Sequence, residues 1–220
     1  MNKNKNRFLT GKRILISAGS TWVAIDKVRV ITNIFGGRTG CMIAEMAKRR
    51  GADVKLLIGP SRMSVSQKSF GKIKVVRYHY FHELLGLMKK EISKRNYDVV
   101  IHSAAVSDYM PVKTENKKIP SGKEELIIKL KPTIKIIQQI KKWDPKILLV
   151  QFKLEVNEPY KQLINIAYKS LVKNRADLVV ANDLKNIQKA YIINRAKKII
   201  KVNNRKELVN KLLAIINSVF

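Results

Sequence analysis

Apolar and polar positions along the chain fall into two alternating patterns. Residues 13–18, 53–58, 73–78, 99–103, 147–152 and 178–181 are short runs dominated by Ile, Val and Leu, and runs of that length without a polar face predict strands covered on both sides. Between them, residues 40–50, 81–95, 133–143 and 159–174 place apolar side chains three and four apart, with Leu163, Ile166, Ala167 and Leu171 sharing one face of the last. The tail, 204–219, predicts a final amphipathic helix with Asn204 as its cap. Strand and helix in alternation imply an α/β fold, a Rossmann-like doubly wound and mostly parallel sheet.

Two segments break the alternation. Residues 113–131 begin as a basic loop and end in an apolar run at 126–130, and residues 190–202 read as a short hairpin. These are expected to meet as a small accessory sheet outside the main one, a place for a dimer contact. With no internal repeat and no linker, residues 12–220 predict a single domain behind a basic N-terminal extension, residues 1–11. At 220 residues and 45% hydrophobic, the chain can bury a substantial core.

No apolar run approaches the roughly eighteen residues that span a bilayer, and Phe8-Leu9 is followed at once by Thr10-Gly11-Lys12-Arg13, too soon for a signal-peptide core. A cytoplasmic protein without membrane association is expected. The single cysteine, Cys41, can form no internal disulfide, and its apolar helical setting predicts a packed thiol. Forty-five Lys and Arg against sixteen Asp and Glu give a formal charge of +29, which by itself suggests nucleic acid. The basic residues are spread over the whole chain, however, without a recognition helix, zinc-finger spacing or aromatic RNA-binding strand. The charge therefore predicts a solvated surface that attracts anionic ligands, with no specific nucleic-acid partner.

Candidate chemistry concentrates in loops at strand ends. The stretch from Val28 to Gly40 joins an early strand to a helix through Gly36, Gly37 and Gly40, which can turn consecutive N–H groups toward a phosphate. Arg29 and Arg38 add charge, and Asn33 adds a neutral amide. A nicotinamide-dependent oxidoreductase would place G-x-G-x-x-G directly after the first strand and a carboxylate at the end of the second. Here the first strand leads into Ser17-Ala18-Gly19-Ser20-Thr21 and the second ends Leu57-Ile58-Gly59-Pro60, which sets that function back. A Walker A loop is also missing. The fourth strand runs into His102-Ser103-Ala104-Ala105-Val106-Ser107-Asp108-Tyr109, where small residues admit a flat ligand and Asp108 suits a sugar hydroxyl or a magnesium-bound phosphate. His102 and Ser103 point to opposite faces of a strand and make a poor catalytic pair. His79 and His82 beside Glu83 favour a solvated helix start over a metal site. Lys169 and Lys173, four apart, share a helical face.

Taken together, Ile16-Ser17-Ala18-Gly19-Ser20-Thr21, Ile25-Asp26-Lys27-Val28-Arg29, Thr32-Asn33 through Gly40, Ala104 through Tyr109, Lys118-Ile119, Phe152-Lys153-Leu154-Glu155 and Ala176 through Asp183 resemble phosphopantothenate-cysteine ligase. The match runs in order over nearly the whole chain and is similar to the standalone form, without the flavin-dependent decarboxylase to which many bacterial members are fused.

The resemblance implies a two-step ligation of coenzyme A biosynthesis. The carboxylate of 4'-phosphopantothenate attacks the α-phosphate of CTP, pyrophosphate leaves, and cysteine's amine then displaces CMP from the acyl cytidylate. Magnesium accompanies the nucleotide, and the ligase is expected to be a homodimer. By motif position, His102, Ser103, Ala104, Asp108, Lys118, Ile134, Lys135, Ile136, Ile137, Phe152, Lys169 and Lys173 surround the nucleotide. Gly19, Arg29, Asn33, Gly36, Gly37, Arg38, Gly40 and Ala105 face the phosphopantothenate, with Asn33 and Lys118 as the catalytic pair. Where fused members carry Lys-x-Lys-Lys this chain has Lys118-Ile119-Pro120-Ser121, and where they carry Gly-Phe-Ala-Ala-Glu-Thr it has Gln151-Phe152-Lys153-Leu154-Glu155-Val156. The second departure is nearer to standalone and eukaryotic members. Eukaryotic members use ATP, so ATP stands as the alternative to CTP. An oxidoreductase on the same fold and a basic nucleic-acid-binding protein are the competing functions.

Overall fold

A computed structural model describes residues 7–60, 73–122 and 124–220. The first six residues of the expected N-terminal extension lie outside it. In chain order the elements are β1 (Arg13–Ala18), β2 (Trp22–Ala24), β3 (Val30–Thr32), α1 (Arg38–Arg49), β4 (Asp53–Ile58), β5 (Lys74–Arg77), α2 (Phe81–Ile92), β6 (Val99–His102), β7 (Tyr109–Pro111), β8 (Leu130–Pro132), α3 (Ile136–Trp143), β9 (Leu148–Glu155), α4 (Tyr160–Lys173), β10 (Leu178–Asp183), β11 (Ala190–Asn194), β12 (Ile199–Val202) and α5 (Arg205–Asn217).

The main sheet has eight strands in the order β12-β11-β10-β9-β6-β1-β4-β5. All pairs from β10 through β5 are parallel. Along that parallel part the chain winds outward in one direction through β1, β4 and β5, then returns to β6 and winds the other way. The order reverses between β1 and β6. Successive strand residues face opposite layers: Ile14, Ile16, Val54, Leu56, Val99 and Ile101 pack with α1 and α5 on one side. Leu15, Leu57, Val100, Leu149 and Val179 pack with α2, α3 and α4 on the other. Burial on both faces is what makes these strands continuously apolar.

The accessory sheet is not built as expected. β11 returns antiparallel along β10, with Leu178 opposite Asn194 and Asn182 opposite Ala190, and β12 pairs with β11. The hairpin therefore extends the main sheet, because the short connection from β10 allows an immediate antiparallel return. β8 pairs instead with β7, placing Tyr109 opposite Pro132. A second small ribbon, β2 with β3, is tied to the first loop region by Glu115 N–H to the Ile25 carbonyl (3.0 Å) and Ile119 N–H to Asp26 (3.0 Å). Together the two ribbons form an arm over the carboxyl ends of the strands. At the other end, Leu9 is fully buried and its N–H donates to the Arg50 carbonyl (2.9 Å), so Leu9 belongs to the packed body. Among the described residues, no helix is long and apolar enough to cross a membrane.

Candidate active site

In open parallel sheets a crevice forms where the strand order reverses, beyond the carboxyl ends. Here that crevice lies between β1 and β6 and is a cleft of about 550 Å³. Its floor needs glycine. Gly37 has φ +79° and a side-chain carbon there would collide with the backbone nitrogen of Gly19. At Gly40 the added carbon would sit 2.5 Å from Ser103 Oγ and 2.6 Å from Ala18 Cβ. Gly37 caps α1 in the left-handed conformation and accepts the Cys41 N–H (3.1 Å). The N–H groups of Arg38, Thr39 and Gly40, which a helix start leaves without intrahelical acceptors, belong to residues lining the cleft.

The opposite wall is the loop after β6. Ser103 N–H donates to the Ser17 carbonyl (3.0 Å) and Ala105 N–H to the Gly19 carbonyl (2.8 Å), which carries the strand pairing past the ends of β1 and β6. Hydroxyls then fasten this loop to its neighbours. Ser107 N–H donates to Thr21 Oγ1 (2.9 Å), Thr21 Oγ1 to Ser107 Oγ (3.1 Å), and Thr133 Oγ1 to the Ser107 carbonyl (2.7 Å). The last bond holds Thr133 out of α3, which starts at Ile136 and not at residue 133 as expected. Asn33 reaches across from the arm, and its Nδ2 donates to the carbonyls of Ala105 (3.0 Å) and Val106 (3.3 Å).

A second hollow of about 330 Å³ adjoins the first, and Ala104, Val106, Asp108, Phe152 and Lys153 line both. His102 stands at its base, with Nδ1 2.7 Å from Ser17 Oγ. Burial pushes this imidazole down to about 4, so it is neutral at physiological pH. Asp108 pairs with Lys135 at 2.6 Å. Among the described residues it is the one carboxylate lining either hollow.

The structure thus brings Gly19, Asn33, Gly36, Gly37, Arg38, Gly40, Ser103 and Ala105 to the first cleft. It brings His102, Ile134, Lys135, Ile136, Ile137 and Lys173 to the second, with Ala104, Asp108 and Phe152 between. Three candidates lie elsewhere. Lys169 is exposed on α4 and lines neither hollow. Arg29 is engaged on the arm, its Nη1 bonded to Asp26 Oδ2 (3.1 Å) and to the Ile119 carbonyl (3.3 Å). Asp26, whose side chain is fully covered, is held below the usual carboxylate range by the Ile119 N–H, against its own burial, with help from Val28, Arg29 and the guanidinium. Lys118 lines a separate hollow of about 630 Å³ on the arm.

Lys153 and Leu154, part of the quoted motif but given no site role, also line the cleft, as does Arg205, which was not singled out. The first two arise because β9 runs to Glu155, held by β10 through Asp183 opposite Glu155. Arg205 opens α5 and carried no local signal. Asn182 also lines the cleft and donates to the Lys189 carbonyl (3.2 Å), while Asp183 accepts from the N–H groups of Glu158 (2.8 Å) and Lys185 (2.7 Å). Both close the loops around β10. Beside His79 and His82, Glu83 accepts from the N–H groups of His79 (2.7 Å) and Tyr80 (3.0 Å) and caps the start of α2. Cys41 is buried, and desolvation raises its thiol to about 11.

A profile of the DNA/pantothenate metabolism flavoprotein C-terminal domain matches residues 9–217. The chain belongs to that family. The coenzyme A biosynthesis bifunctional protein CoaBC of Thermococcus kodakarensis is 40% identical over 177 residues, which make up 80% of this chain and 42% of that protein. The DNA/pantothenate metabolism flavoprotein from Streptococcus pneumoniae is 32% identical and superposes with a TM-score of 0.87, covering 96% of this chain and 100% of that one. The C-terminal domain of CoaBC follows at 29% identity and TM-score 0.81, with 97% of each chain covered. This chain is therefore homologous to that C-terminal domain, and it spans less than half the length of the curated relatives it matches. Its doubly wound sheet is the fold of the family.

Proposed function

We propose that this domain joins 4'-phosphopantothenate to cysteine in coenzyme A biosynthesis, through an acyl nucleotide made from CTP or, alternatively, ATP. One observation carries the reading: two hollows at the reversal point share a wall of Ala104, Val106, Asp108, Phe152 and Lys153. One is floored by glycines and by the backbone N–H groups of a helix start, suited to a phosphorylated acid. The other is lined by lysines and amides, suited to a nucleotide. A carboxylate in the first can meet an α-phosphate in the second at that wall.

In the first step a carboxylate oxygen bonds to the α-phosphorus and the bond to the β-phosphate oxygen breaks, releasing pyrophosphate. In the second, cysteine's nitrogen bonds to the acyl carbon, the acyl–oxygen bond breaks and the nucleoside monophosphate leaves as the nitrogen gives up a proton. Both nucleophiles come from substrates, so the protein's part is to orient them and to stabilise charge. Lys153 and Lys173 line the second hollow as candidates to balance the triphosphate. Among the described residues there is no cluster of acidic, His or Cys side chains that would hold a metal unaided. Magnesium would enter as a companion of the triphosphate, where Asp108 is the carboxylate that would hold it, and would supply neutralisation of phosphate charge.

The test is to incubate the protein with phosphopantothenate, cysteine, magnesium and each nucleotide, and to identify products by mass. CMP or AMP with pyrophosphate and phosphopantothenoylcysteine is the expected result. Nucleoside diphosphate with inorganic phosphate, or no turnover, overturns the proposal.

A further inference from the structure

The floor of the second hollow holds a triangle of polar side chains that the ligation chemistry does not use. Gln151 stands on β9 opposite His102 of β6, and is 2% exposed. Asn174, just past α4, donates from Nδ2 to Gln151 Oε1 (2.8 Å) and to Ser170 Oγ (3.2 Å). Gln151 Nε2 donates to the same Ser170 oxygen (3.2 Å). All three residues line the hollow.

The triangle fixes an orientation. A primary amide has two N–H donors and one carbonyl acceptor. Both Asn174 donors are taken, which leaves its Oδ1 as the group free to meet a ligand. Turning the Asn174 amide over would set its oxygen against Gln151 Oε1, a repulsive pair that only a concerted turn of both amides relieves. After a concerted turn both amide oxygens would face Ser170 Oγ, which has one hydrogen to give and can satisfy only one of them, so buried Gln151 acts as the positioning residue for Asn174. An acceptor at that place recognises an amino group and repels a keto oxygen. Cytosine and adenine carry an exocyclic amino group. Uracil and hypoxanthine carry a carbonyl at the same ring position.

Resting on the reading of this hollow as the nucleotide site, we propose that Asn174 Oδ1, oriented by Gln151, selects nucleotides whose base carries an amino group and rejects their keto counterparts. The selection lies between CTP and UTP and between ATP and inosine triphosphate, and leaves cytosine and adenine to be distinguished by size.

Binding of these four nucleotides to the full chain, by equilibrium dialysis with magnesium and without the other substrates, tests this apart from turnover. Wild-type protein should prefer CTP to UTP, or ATP to inosine triphosphate, by about tenfold or more, as expected where a site's buried polar group is left unpaired by the wrong ligand. Asn174→Leu should bring each amino–keto pair within about threefold while nucleotides still bind through the lysines. Gln151→Glu retains an oxygen facing Asn174 Nδ2 and should keep the preference; Gln151→Leu should weaken it. Equal or tighter binding of UTP and inosine triphosphate to wild-type protein overturns the proposal, as does a preference that survives Asn174→Leu. If no nucleotide binds at all, the nucleotide reading itself falls, and this proposal with it. Should Asn174→Leu fail to fold, the change in ratio between wild-type protein and Gln151→Leu decides, and an unchanged ratio overturns the proposal.

Discussion

Both donors of the Asn33 amide are engaged before any substrate arrives, by the carbonyls of Ala105 and Val106. A role as donor to the substrate carboxylate alone would make Asn33→Asp impair amide formation more than activation. The geometry changes that expectation. An aspartate would turn oxygen toward two carbonyl oxygens, push the arm off the β6 loop, and so disturb the wall where both steps occur. We expect both half-reactions to fall together, by about 10²-fold, and rapid quench with labelled nucleotide separates them. An acyl nucleotide accumulating on the enzyme would instead return Asn33 to the role of direct donor. His102 offers a residue-scale prediction about stability. Its folded value of about 4 lies below the usual 6.5, so the unfolded chain binds the extra proton between those values. The contribution, of order 3 kcal/mol, is fully present above pH 6.5 and is lost as pH falls through that window toward 4. Urea midpoints should drop between pH 7 and pH 5 in wild-type protein and barely move in His102→Gln. A flat wild-type profile would show that the imidazole is not held neutral by the fold.

Element by element, the chain is legible where burial imposes a strict pattern and illegible where it does not. Five of the six parallel strands are covered on both faces and so read as apolar runs, whereas β5 at the sheet edge exposes Lys74 and Arg77. The Asn204 cap of α5 was legible too, since its Oδ1 accepts the Glu207 N–H at 2.8 Å. The ribbons β2–β3 and β7–β8 have three residues per strand, too few to establish a period. The 190–202 hairpin was recognisable, but which sheet it joins depends on its partner β10, which local pattern does not carry. The glycine loop was legible because backbone shape constrains residue type directly, whereas Arg205 reaches the cleft only through the packing of α5. Two glycines make this contrast measurable. Gly37→Ala places a methyl into Gly19 at φ +79°, and should cost about 1–3 kcal/mol and weaken phosphopantothenate binding at least tenfold. Gly86, exposed in α2 with nothing within 4 Å of an added methyl, should gain about 0.5–1 kcal/mol on conversion to alanine. Denaturant titration of the two variants checks both signs.

At the scale of the molecule, the arm poses a problem that a single chain does not solve. It carries Lys118 in a hollow separate from the cleft, and around that hollow Val112, Leu126 and Ile127 are exposed, Ile127 at 74%. An apolar surface of this kind, on a chain with formal charge +29, is costly to leave in water. We propose that two copies cover it as a homodimer, and that Lys118 serves the cleft of the partner. Ile127→Lys should then yield monomers at micromolar concentration in sedimentation velocity, with turnover reduced. Lys118→Gln should slow activation by about 10²-fold, the usual loss of one transition-state donor. Complementation decides whether Lys118 acts across the dimer. A dimer of one Lys118→Gln subunit and one Asn33→Asp subunit has one cleft with both residues intact if Lys118 comes from the partner, and none if it comes from the same chain. Random exchange of the two inactive variants should therefore restore about a quarter of the wild-type rate. No recovery after proven subunit exchange would place Lys118 in its own subunit's site, and a fully active monomer would remove the dimer from the mechanism altogether.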